Sequence, residues 1–161
     1  MVEERELEKL AMDLINQQST MALATARENV PWAAPVYYVF YKSAFFFFSD
    51  HESRHIREAI ETDQASAAIY PYANTWQEIR GIQMSGRIRS LGPGLTAIQA
   101  VRAYTEKFSF TKDFFESGQA LDLESFAKRF RVRLYRLEPS LVYYLDNRIK
   151  FGFRAEVRLS S

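Results

Sequence analysis

The two histidines of the chain stand four residues apart in His51-Glu52-Ser53-Arg54-His55, which matches the pattern His-Glu-x-x-His. On a helix this spacing puts two imidazoles on one face for zinc, with the Glu activating a metal-bound water and a third ligand further on. Three and six residues after His55 come Glu58 and Glu61, so the glycine and third histidine of the longer motif are missing. The match also opens its helix among Asp50, Arg54 and Arg57, where zinc chemistry wants a buried, apolar-flanked mid-helix. No metal is expected, and a zinc metallohydrolase built on His51, Glu52 and His55 stands as an alternative. The same segment supports other chemistry. Ser49 and Glu52 have the Ser-x-x-Glu spacing of a capping box. A strand delivering Ser49, Ser53, Arg54 and His55 to a helix N-terminus also gathers hydroxyls, a guanidinium, an imidazole and exposed amides, the donors a phosphate needs. No side chain stands out as acid, base or nucleophile, because the serines have no evident activating base, so catalytic residues are left open.

The composition sets the frame for that segment. One hundred and sixty-one residues make one domain, 1–161, and 47% apolar with 25% charged residues is the balance of a globular protein. Twenty-one Lys and Arg against twenty Asp and Glu leave a net charge of +1, so no global field favours nucleic acid or an anionic membrane. No apolar run approaches the about 20 residues that span a bilayer. The acidic start, Met1-Val2-Glu3-Glu4-Arg5-Glu6, does not resemble an export signal, and cysteine is absent. A cytoplasmic location is expected, with no membrane and no nucleic-acid partner. Thirteen Phe, nine Tyr and two Trp favour strands and can face flat ligands.

The elements that must position the segment follow from periodicity. Leu7, Leu10, Ala11, Leu14 and Ile15 recur at helical spacing over 3–15. Residues 21–26 and 32–41 read as a hairpin around Glu28-Asn29-Val30-Pro31, and 45–48 as a strand too apolar to expose either face. A short helix is predicted over about 52–62, a strand over 65–70 ending at Pro71, and a long bent strand over 79–91 with Gly81 and Gly86 at bulges or close approaches. Gly92-Pro93-Gly94 breaks the chain before a helical region from 95 to 108 that extends toward Ser117. Residues 131–137 alternate basic with apolar, Pro139 interrupts, and 141–145 closes the sheet. The expected architecture is mainly β with peripheral helices: six antiparallel strands in a small barrel, because closure removes the edges of so apolar a sheet.

The run Met21-Ala22-Leu23-Ala24-Thr25 followed by Val30-Pro31-Trp32-Ala33-Ala34-Pro35-Val36-Tyr37-Tyr38 resembles the FMN-binding split-barrel superfamily of pyridoxamine 5′-phosphate oxidase-like proteins. Phe47-Phe48-Ser49-Asp50-His51-Glu52-Ser53-Arg54-His55 resembles that family's strand-to-helix phosphate loop, and Arg80-Gly81-Ile82-Gln83-Met84-Ser85-Gly86 its bent strand beside the flavin. The likeness covers residues 20–91 well and the remainder loosely. It implies a homodimeric six-stranded split barrel of FMN-binding type, with FMN in each of two grooves between protomers. Pro35, Val36 and Tyr37 would line the pyrimidine side of the ring, Phe48 and Ser49 would approach from the next strand, and Gln83 would reach the ring edge. Ser53, Arg54 and His55 would hold the phosphate.

Two departures qualify the likeness. The oxidases carry Arg where Ala34 stands and Lys where His55 stands, so two fixed positive charges are absent. Their C-terminal Arg-x-His signature has no match in residues 146–154, which points to a branch of the superfamily apart from the oxidases. The function implied is an FMN-dependent oxidoreductase acting on a small-molecule redox substrate, with a non-enzymatic flavin or haem binding protein on the same fold as the alternative. Surplus aromatic area implies a homodimer, with the stretch around Arg148, Phe151 and Arg154 reaching across.

Overall fold

The computed structural model describes residues 3–114 and 123–159. Helix α1 (Glu4–Gln17) buries Leu7, Ala11, Leu14 and Ile15, a single stripe at the spacing that an amphipathic helix requires. Strands β1 (Thr20–Arg27) and β2 (Val30–Tyr37) form the first hairpin, in register from Thr20↔Tyr37 to Arg27↔Val30. Glu28 and Asn29 turn it with φ of 51° and 63°, the left-handed pair that matches the twist of the flanking strands. Strands β3 (Val39–Tyr41) and β4 (Ala44–Ser49) form a second hairpin about Lys42 and Ser43. Helix α2 (Arg54–Thr62) then crosses to β5 (Ala65–Ile69), and a single helical turn (Trp76–Glu78) leads to β6 (Arg80–Ser90). Helices α3 (Leu95–Lys107) and α4 (Leu123–Phe130) separate β6 from β7 (Arg133–Asp146), and β8 (Arg154–Glu156) ends the fold.

The sheet runs β2-β1-β5-β6-β7-β4-β3, antiparallel throughout, with β8 alongside β7. Seven strands on this path, with β8 beside them, correct the expected six. The difference arises at Tyr38, within the stretch 32–41 that reads as one strand. Tyr38 is buried and its hydroxyl donates to the Ile15 carbonyl at 2.5 Å; before it the chain pairs with β1, after it with β4. Because β2 and β3 stand at opposite ends of the strand order, one residue joins the two ends and the sheet curls upon itself. The curled sheet encloses Met21, Leu23, Phe45, Phe47, Ile82, Tyr135, Leu137 and Tyr144, and α1 covers its open end with Leu14 and Ile15.

Two further expectations change. Pro139 does not interrupt the last long strand: β7 is continuous, and the register slips opposite Ser85 and Gly86, so that Ser140 is the extra residue. A bulge is where a strand tolerates a residue with no amide proton. Gly86 meets the same point, since a Cβ there would collide with the Glu138 carbonyl oxygen. Helix α3 stops at Lys107, the chain continues as a tighter turn (Ser109–Phe114), and the rest of the expected extension to Ser117 lies outside the described residues. A second cluster, Val39, Phe46, Ala97, Val101, Tyr104 and Leu134, seats α3 against β3 and β4.

Candidate functional site

The strand-to-helix segment folds into a compact donor cluster. Strand β4 ends at buried Ser49, whose Oγ lies 2.8 Å from His55 Nε2 and 3.2 Å from Ser53 Oγ; Ser53 Oγ lies 3.3 Å from the same imidazole nitrogen. Three side chains thus converge on one point at the start of α2. Burial lowers the His55 pKa, an effect the Glu58 carboxylate partly offsets, so the imidazole favours its neutral form near pH 7. The expected capping box is not formed. The helix begins at Arg54, two residues later than expected, and Ser53 is its N-cap, but the Ser53 hydroxyl donates to the Asp50 carbonyl at 2.7 Å and no side chain caps the first turn. Those first-turn amides retain donor capacity toward a ligand.

Arg54 stands apart from this point. Its Nε donates to Glu58 Oε1 at 2.6 Å and its guanidinium lies 4.6 Å from the centre of the Trp32 ring. Glu58 is buried and accepts a second bond from Thr25 Oγ1 at 2.6 Å. The Thr25 bond first, and the Arg54 bond second, hold its carboxyl below the usual glutamate range. Thr25, Trp32, Arg54 and Glu58 therefore form one latch between α2 and the first hairpin. Sequence reasoning missed it, although the i,i+4 spacing of Arg54 and Glu58 is a visible signal.

The zinc pattern is not set up as a helix. His51 lies in the turn before α2, within 3.5 Å of Asp50 and 3.0 Å of Glu52, so His51 and His55 do not share a helical face. Among the described residues no group of three His, Asp or Glu side chains could hold a metal.

The remaining predicted residues divide between two places. Val36 is buried in the barrel core, paired with Met21. Pro35 and Gln83 face outward on one row that crosses the sheet as Pro35↔Ala22↔Ala68↔Gln83↔Tyr143. The neighbouring row is Ala33↔Ala24↔Ser66↔Ser85↔Leu141, and together these small side chains line a shallow groove of about 390 Å³. Tyr37, two residues along from Pro35, is 50% exposed and meets Phe108 and Phe110 edge-on at 5.4 and 5.5 Å. Phe48 meets Tyr104 at 5.1 Å. Helix α3 and the turn after it thus supply Tyr104, Phe108 and Phe110, three residues that the sequence reading did not single out, to an aromatic corner around Tyr37 and Phe48. The chain passes from that corner into the donor cluster at Phe48-Ser49. In the C-terminal stretch Arg148 is bonded to Asp146 of its own chain, Arg154 covers the Tyr143 ring at 4.6 Å, and Phe151 is 73% exposed against Trp76.

Comparison with known proteins agrees with this fold. The family model described as pyridoxamine 5′-phosphate oxidase matches residues 7–145. The UPF0306 protein of Klebsiella pneumoniae (strain 342) is 23% identical over 140 residues, 86% of this chain and 84% of that protein. Among solved structures, the haem storage protein HutZ of Vibrio cholerae superposes with a TM-score of 0.64 at 19% identity, over 83% of this chain and 90% of that one. A FAD-binding protein of Mesorhizobium loti gives 0.61 at 18% identity over the same shares. Structural likeness at such identities establishes the fold, a split barrel, and the family follows from a match that takes in most of the strands and the donor cluster: the chain belongs to the pyridoxamine 5′-phosphate oxidase family.

Proposed function

We propose that the chain binds FMN and works as a flavin-dependent oxidoreductase on a small-molecule substrate. The observation that carries this reading is the meeting of Ser49, Ser53 and His55 at an uncapped helix N-terminus, directly beside the half-exposed Tyr37 corner. The donor set fits a terminal phosphate: two hydroxyls, an imidazole and first-turn amides can each donate to phosphate oxygens. Pro35, Tyr37 and Phe48 would give the ring a dry edge, and Gln83 an amide on the outer row. When bound, flavin supplies hydride transfer at its N5. The chain's residues bind, orient and exclude water. A loop that engages the phosphate discriminates FMN from riboflavin, so titration of the purified protein is expected to give at least about tenfold tighter binding of FMN than of riboflavin. Equal affinities would remove the phosphate site. An absorption spectrum dominated by haem, or FAD binding as tight as FMN, would replace the reading with the ligand named for HutZ or for the Mesorhizobium loti protein.

The same reading includes a homodimer with the flavin at its seam. Its support is the pair of outward rows with Ala22, Ala24, Ala33, Ser66 and Ala68, a shallow groove of small side chains that allows a second sheet close approach. Dilution should then release subunits and flavin together, which light scattering read beside flavin fluorescence measures. A monomer that keeps its FMN would overturn the shared site.

A further inference from the structure

We propose that Arg133 is the fixed positive charge of the phosphate site, taking the part that Ala34 and His55 cannot play; the inference rests on the FMN reading above. The donor cluster has hydrogen-bond donors but little net charge. Arg54 is neutralised by Glu58 at 2.6 Å, His51 lies between Asp50 and Glu52, and burial keeps His55 toward its neutral form. A phosphate monoester carries about −1.5 to −2 charge at pH 7, so a cation is required from outside the loop. Strand register supplies one. Arg133 is the cross-strand partner of Ser49 on the β4–β7 ladder, and opposed residues of antiparallel strands project to the same face, with Cβ atoms about 4.5 to 5.5 Å apart. Two residues back on the same face, Phe47 stacks on its partner Tyr135 at 6.0 Å and 28°, which shows the side chains of this ladder meeting as the register requires.

Ser49 Oγ is the atom on which Ser53 and His55 converge, so Arg133 flanks the centre of the cluster. Burial raises the Tyr135 hydroxyl's pKa, and Arg133 opposes that rise while Asp50 adds to it; both charges therefore lie close to Tyr135, the residue opposite Phe47 on the same ladder. Arg133 is exposed and makes no ion pair or hydrogen bond among the described residues. Several other arginines are paired: Arg54 with Glu58, Arg87 and Arg89 with Asp63, Arg136 with Glu138 and Arg148 with Asp146.

The test compares FMN and riboflavin titrations, followed by flavin fluorescence, for the wild type, Arg133→Gln and Arg133→Lys. Arg133→Gln is expected to weaken FMN about tenfold while riboflavin affinity and the thermal midpoint stay at wild-type values, and Arg133→Lys to restore most of the loss. Unchanged FMN affinity in Arg133→Gln overturns the assignment, as does a parallel loss of both flavins, which would mark a structural role. If the wild type itself does not distinguish FMN from riboflavin, the phosphate-site reading fails first and this assignment fails with it, an outcome visible before any variant is made.

Discussion

Asp146→Ala is expected to lower stability by about 2 to 4 kcal/mol, which in a domain of this size moves the thermal midpoint by about 4 to 16 °C. Asp146 is 1% exposed and accepts from Tyr144 Oη at 2.6 Å, from Arg148 Nε and the Arg148 amide, both at 2.9 Å, and from a terminal nitrogen of Arg148. Removing the carboxylate leaves the fully buried Tyr144 hydroxyl without its acceptor, a cost of about 1 to 3 kcal/mol by itself. Arg148 is half-exposed and can turn to water, which keeps the estimate below that of a fully buried pair. Burial alone would raise the Asp146 pKa, but the bonds from Arg148 and Tyr144 outweigh it and the carboxyl titrates below its ordinary value. Its folded pKa being depressed, the stabilisation is present above the unfolded value and is lost as pH falls through the folded one. The gap between wild type and variant should therefore narrow in acid, and calorimetry over pH 2 to 7 reads it directly. A constant gap would mean that the carboxylate's charge contributes nothing. The consequence extends to the surface, because the turn after Asp146 is clamped by Asn147 to the Ile79 and Trp76 carbonyls at 2.9 and 2.8 Å, and this clamp presents Trp76 and Phe151 to solvent.

Local periodicity carried most elements, and the misses have a common cause. Helix α1 was legible because Leu7, Ala11, Leu14 and Ile15 bury one stripe, and the first hairpin because aromatic and β-branched runs flank a polar turn. The break at Tyr38 was not. The residues on both sides of it are equally apolar, and the break is set by a change of partner strand and by a hydrogen bond to Ile15, twenty-three residues away. Pro139 misled in the opposite direction. A proline reads as an interruption, yet β7 accommodates it by letting Ser140 bulge against a glycine whose missing Cβ makes the room. Helix α4 and β8 are short, eight and three residues, and lack the length over which a period declares itself.

The candidate site divides along the same line. Ser49, Ser53 and His55 lie within seven residues, so local spacing sufficed to bring them together. Tyr104, Phe108 and Phe110 arrive from α3 and the turn after it, more than fifty residues downstream, and Arg133 arrives through strand register, neither of which a motif encodes. For Arg54 the motif implied a phosphate contact, and the latch it enters was not foreseen, because Thr25 and Trp32 come from the first hairpin.

Arg54 gives the sharpest functional expectation, because one variant separates the latch in which it sits from the phosphate contact proposed for it. Its Nε–H is occupied by Glu58, and the guanidinium has five N–H donors in a planar fork, so the latch can aim the outer edge of the fork without consuming it. If that edge reaches the phosphate, Arg54→Ala removes a charge-assisted hydrogen bond worth about 1.5 to 3 kcal/mol, or about ten- to a hundred-and-fifty-fold in FMN affinity. The same change strips buried Glu58 of the Arg54 cation and leaves it the Thr25 hydrogen bond and the Arg27 charge. The Glu58 carboxyl should then titrate closer to the ordinary glutamate value. In the wild type its depressed folded pKa stabilises the protein above the unfolded value and is lost as pH falls through the folded one; in the variant that acid-side contribution shrinks. Arg54→Ala should therefore bind FMN less tightly, bind riboflavin as before, and lose stability mainly above pH 5, measured by flavin titration and by denaturant unfolding at two pH values. Full-strength FMN binding together with the stability loss would show that the guanidinium serves the latch alone, with Trp32 and Glu58 as its whole environment, and would leave anion recognition to Ser49, Ser53, His55 and the strand opposite them.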